Sequence, residues 1–211
     1  MASVSEKLMF YHIPKTGGVW VKEAMRKSGI PNAGVPNISK MGHPFGLKRE
    51  HATYEVIQEE YKKDKFSFCF VRNPIDWYKS FWRFRQAGGP ARSQHSGRYD
   101  FKFPLDICGD NNFELFLEKS LALFPEGFVT KMYKYFVGEN CDKVNYIGKL
   151  ENIREDLIDV LKQSGEIFNE DVIRNYKKIN ISTKIDLTIN KDLEKRLLKT
   201  ERWVTETFYK E

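Results

Sequence analysis

Two short apolar runs constrain this chain more than anything else in its 211 residues. Residues 8–13 read Leu-Met-Phe-Tyr-His-Ile and residues 66–71 read Phe-Ser-Phe-Cys-Phe-Val, each suited to a strand buried on both faces. Pro14-Lys15-Thr16-Gly17-Gly18 closes the first and Arg72-Asn73-Pro74 the second, and each turn leads into a helical pattern. The first helix is expected over 19–28, with Val21, Ala24 and Met25 on one side and Gly29 as its stop. The second starts at Pro74, with Asp76 near its positive end and an aromatic stripe of Trp77, Phe81 and Phe84. Strand, tight loop, helix, then the same again, predicts an α/β protein: a P-loop-like three-layer fold around a central, mainly parallel sheet. Ligands of such sheets bind at the carboxyl ends of the strands, where both turns should emerge.

Further helices are expected over 52–63, 113–124, 154–163 and 191–208, and a further strand over 144–150. The length suits a single domain over 1–211, with an irregular polar and aromatic insertion at about 88–112. No apolar run is long enough to span a membrane, and the N-terminus lacks the layout of a secretory signal, so a cytoplasmic protein is expected. Cys69, Cys108 and Cys141 lie too far apart for a zinc motif and read as reduced thiols, so no metal site is expected. Lys and Arg number 35 against 29 Asp and Glu, a net +6 without a block of like charge. That balance permits an anionic ligand but leaves no footprint of a nucleic-acid binder.

The first turn is built to cradle phosphate. Glycines let the backbone turn sharply with its N–H groups aimed at one spot, the helix start adds partial positive charge, and Lys15 adds a full one. A nucleotide-triphosphate P-loop is disfavoured, because there the glycines precede the lysine and here they follow it. Such enzymes also need an acidic residue to hold magnesium, whereas the second strand delivers Arg72 at its tip. Ser80 follows on the next helix, about two turns along, where its hydroxyl shares an anion with Arg72 only if the helix start folds back. Lys15 and Arg72 thus point to two separate anionic groups without an obligatory cation.

Together, His12-Ile13-Pro14-Lys15-Thr16-Gly17-Gly18 and Phe70-Val71-Arg72-Asn73-Pro74 through Ser80 resemble the sulfotransferases that use 3′-phosphoadenosine 5′-phosphosulfate (PAPS), most closely the carbohydrate-type branch. Weaker echoes stand at Gly148-Lys149-Leu150-Glu151-Asn152 and Asn180-Ile181-Ser182. The resemblance implies that Lys15, Thr16, Gly17, Gly18, Val19 and Trp20 hold the 5′-phosphosulfate and that Arg72 and Ser80 hold the 3′-phosphate. Val19 stands where the family usually has Thr or Ser, and Trp77 where a second arginine is often found.

In-line transfer of a sulfuryl group needs a cation beside the leaving phosphate oxygen, donors to the sulfate oxygens, and a base for the attacking hydroxyl or amine. Lys15 is the cation and the loop N–H groups are the donors. Of His12, His43, His51 and His95, the resemblance implies a Gly-His base in the stretch holding His43, with His51, at a helix start, as second choice. His12, on the strand, reads as a core residue. The acceptor is expected to be a small molecule or a glycan, including an anionic one. Trp77, Tyr78, Trp82, Tyr99, Phe101 and Phe103 interleave with Arg83, Arg85, Arg92, Arg98 and Lys102, a mixture suited to sugars and their charged substituents and equally to an ordinary core with solvated arginines. Two other functions compete: a P-loop kinase or NTPase, and a non-catalytic anion- or glycan-binding module on the same fold.

Overall fold

Helices and strands follow the apolar runs closely in a computed structural model, which describes residues 2–35, 51–87, 104–179 and 187–210. The chain begins with β1 (Ser3–Val4), β2 (Leu8–Tyr11), α1 (Gly18–Lys27), β3 (Ala33–Gly34), α2 (Glu59–Lys62) and β4 (Phe66–Val71). It continues through α3 (Pro74–Gln86), a 3-10 turn at Pro104–Cys108, α4 (Phe113–Leu123) and α5 (Phe128–Val137). Then come β5 (Tyr146–Lys149), a 3-10 turn at Leu150–Asn152, α6 (Ile153–Gln163), α7 (Glu170–Asn175), α8 (Lys191–Thr200) and α9 (Arg202–Phe208). These elements fall into two compact units, Met1–Arg72 with Lys134–Ile181, and Asn73–Tyr133 with Ser182–Glu211.

The first unit is built on a five-stranded sheet of order β3-β1-β2-β4-β5. β2, β4 and β5 run parallel, and β1 pairs antiparallel with both β2 and β3. Strand alternation gives Leu8, Phe10, Phe68 and Phe70 one face, where they pack with Val21, Ala24 and Met25 of α1 and Leu157, Ile158 and Leu161 of α6. Met9, Tyr11, Cys69 and Val71 alternate with them and are fully buried too. Burial on both faces explains why the two runs are continuously apolar, and the expected α/β class, a mostly parallel sheet flanked by helices, is what forms. The register sets Tyr11 opposite Cys69, so the chain leaves β2 and β4 at the same edge of the sheet. That edge carries the site.

The helix expected over 52–63 is cut to α2 alone. Ala52, Thr53, Val56 and Ile57 are buried, but the backbone makes a single turn there, with the N–H groups of Val56 and Ile57 donating to Thr53 O. Three of those four residues are β-branched, which weakens helix propensity on the face that has to be buried.

The second unit opens at α3, where the Asn73 side chain accepts from Ile75 N at 3.0 Å and Pro74 occupies the first turn. Trp77 stacks on Phe81 at 5.4 Å and also meets Phe128 at 5.6 Å. The helix expected over 191–208 breaks at Glu201, with φ −93° and ψ 26°. The break turns the Glu201 carboxylate inward, fully buried, onto the start of α5. There it accepts from Val129 N (3.0 Å), Thr130 N (2.7 Å), Thr130 Oγ1 (2.7 Å) and Tyr78 OH (2.8 Å). Of the insertion expected over about 88–112, residues 88–103 lie outside the described residues. Among the described residues no helix is long and apolar enough to cross a membrane.

Candidate anion-binding site

The turn after β2 holds its shape through its own backbone. Lys15 (φ 65°) and Gly17 (φ 85°) both adopt the left-handed conformation, costly for lysine and free for glycine. Thr16 is fully buried, and its hydroxyl donates to Ile13 O at 2.9 Å, closing the loop. A side chain on Gly17 would meet Leu150 Cδ1 at 2.6 Å, and one on Gly18 would run into the His12 ring. Leu150 belongs to the Gly148–Asn152 echo in the sequence, which therefore has a physical role: it is the floor beneath the glycine turn. Gly18, Val19 and Trp20 form the first turn of α1, and their N–H groups have no intrahelical acceptor. Val21 N is the first to bond back, to Gly17 O at 3.1 Å.

Arg72 leaves the tip of β4 at the same edge, and its Nη1 donates to Lys15 O at 3.5 Å. The Arg72 guanidinium therefore stands against the Lys15 backbone, near enough for its charge to act on the Lys15 ammonium. Burial, with the Arg72 charge adding to it, lowers the Lys15 ammonium from the usual lysine range to about 8. An anion seated between them would offset both effects.

The other expected site residues are distributed unevenly. The Val19 side chain is exposed and has no hydroxyl to offer. Trp20 is turned away into the core: its Nε1–H donates to Lys177 O at 3.1 Å, and its ring lies 5.9 Å from Tyr176 with the Arg154 guanidinium 5.5 Å above it. Thr16 has committed its only hydroxyl hydrogen to the loop, so it serves an anion through loop shape rather than by hydroxyl donation. Ser80 is buried on α3, within the second unit. Trp77, Tyr78 and Trp82 are buried in that unit, and Trp82 Nε1 donates to Asp110 O at 2.9 Å. Those three rings are core, so they do not present faces to a sugar. Arg85 pairs with Asp106. Tyr99, Phe101, Phe103, Arg92, Arg98 and Lys102 lie outside the described residues.

His43 and His95 also lie outside the described residues. His51 is placed beside the loop: its ring centroid is 4.7 Å from that of His12, and its Nδ1 is 2.7 Å from His12 O. A carbonyl oxygen only accepts, so Nδ1 carries the proton and Nε2 is the basic nitrogen of the neutral ring.

The arrangement is a turn of backbone donors, an ammonium, a guanidinium and an imidazole gathered where two parallel strands end. It is suited to binding a polyanion and moving a proton beside it. No curated protein and no solved structure matches the chain. The profile of the sulfotransferase family matches residues 1–210.

Proposed function

The chain belongs to the sulfotransferase family, and from that premise we propose that it moves a sulfuryl group from PAPS to a hydroxyl or amine acceptor by in-line displacement. The observation that carries this reading is the meeting of Lys15 and Arg72 at one sheet edge, beside the glycine turn. Two cations and a helix start fit a donor with separate anionic ends, and neither cation is a ligand for a metal.

PAPS, when bound, supplies the sulfuryl group and the leaving phosphate. Lys15 neutralises charge that grows on the leaving oxygen, and the N–H groups of the glycine turn and the first turn of α1 donate to the sulfate oxygens. Arg72 holds the 3′-phosphate, a role that the resemblance also gives to Ser80. His51 Nε2 takes the proton from the acceptor; His43 is the other candidate for that role. The carbohydrate acceptor rests on the loop's resemblance to the carbohydrate-type branch, since Trp77, Tyr78 and Trp82 are committed to packing.

Incubation with sulfur-labelled PAPS and a mixed acceptor library tests this directly. Transfer of label to a glycan hydroxyl or amine, lost in Lys15→Ala, is the expected result. Label transferred only to small uncharged alcohols would remove the carbohydrate. PAP binding without transfer to any acceptor would favour the non-catalytic module.

A further inference from the structure

His12 has no part in the chemistry described above, yet it lies against both His51 and the first residue of α1. It is 8% exposed at the end of β2. Its ring stacks on Phe10 at 5.9 Å and 19°, meets the His51 ring at 4.7 Å, and fills the space that a side chain on Gly18 would need. Its carbonyl oxygen takes the proton-bearing Nδ1 of His51. One residue therefore fixes His51 twice, by tautomer through its backbone and by ring orientation through its side chain. The same ring lies against the first residue of α1. Burial and the neighbouring His51 hold the His12 pKa well below the ordinary histidine range, so it acts as a flat neutral wedge.

We propose that His12 is a positioning residue, whose ring sets the direction of His51 Nε2 relative to the first turn of α1. This rests on the sulfuryl-transfer reading with His51 as base. The loop keeps its own closures, Thr16 to Ile13 and Val21 to Gly17, so losing the ring disturbs the base far more than the anion cradle.

The test compares His12→Leu, which keeps apolar volume without a flat face, with His12→Phe, which keeps the face. Turnover is measured with PAPS, and PAP affinity is measured separately by calorimetry on the full chain. In His12→Leu, kcat is expected to fall about tenfold or more while the PAP Kd stays within about threefold. His12→Phe is expected to hold kcat within about threefold of the parent. A residue acting through another adds nothing once that other is gone, so His12→Leu/His51→Ala should be no slower than His51→Ala. Unchanged kcat in His12→Leu, PAP affinity lost in step with kcat, or additive losses in the double variant would each overturn the proposal. Should His12→Leu not fold, failure of His12→Phe to sustain turnover in a folded, PAP-binding protein overturns it equally. A parent protein that binds no PAP overturns the sulfuryl-transfer reading itself, and a fully active His51→Ala overturns the choice of base.

Discussion

Lys15 carries two burdens, a left-handed backbone and a buried ammonium that also feels the charge of Arg72, and both make sense if an anion binds there. Its charge is present below about pH 8 and is lost as pH rises through that value. PAP affinity should therefore weaken above pH 8 in the parent protein, and Lys15→Arg, which stays charged, should flatten that limb in calorimetry run from pH 6.5 to 9.5. Lys15→Ala should impair binding and turnover together, because the charge acts in ground and transition states alike. Arg72→Ala should act differently, abolishing the preference for PAP over AMP, which lacks the 3′-phosphate. Equal discrimination in that variant would remove Arg72 from the 3′-phosphate. Gly18→Ala forces a methyl into the His12 ring and should lower stability by about 1–3 kcal/mol, read from chemical denaturation.

At the scale of elements, what is legible in the sequence is what local pattern determines. β2, β4 and the start of α1 follow from apolar runs, prolines and glycines, so the position of Lys15 and Arg72 at strand ends is readable from the pattern alone. β1 and β3 are two residues each and leave no period to detect. The shortening of the 52–63 helix and the break at Glu201 depend on what lies across the fold, and no local spacing announces either. Trp20 shows the same limit: its place in the α1 turn suggests a ligand contact, while its indole is settled by the distant carbonyl of Lys177. Glu201 also supports a prediction. Glu201→Ala strips acceptors from two buried N–H groups at the start of α5 and from Tyr78, and should cost about 3 kcal/mol or more in urea denaturation. A loss under about 0.5 kcal/mol would mean that the start of α5 is satisfied by other means.

At the scale of the whole molecule, the net charge of +6 is mild, so recognition lies in a local constellation rather than a diffuse field. The central claim is that one site, where Lys15, the glycine turn and Arg72 meet, grips a nucleotide carrying phosphates on both its 5′ and 3′ positions. Calorimetric titration of PAP, AMP and magnesium-ATP into the purified full chain addresses it without knowledge of the acceptor. PAP is expected to bind at least about tenfold tighter than AMP, with magnesium-ATP no better than AMP. Tight magnesium-ATP binding with no heat from PAP would contradict the claim.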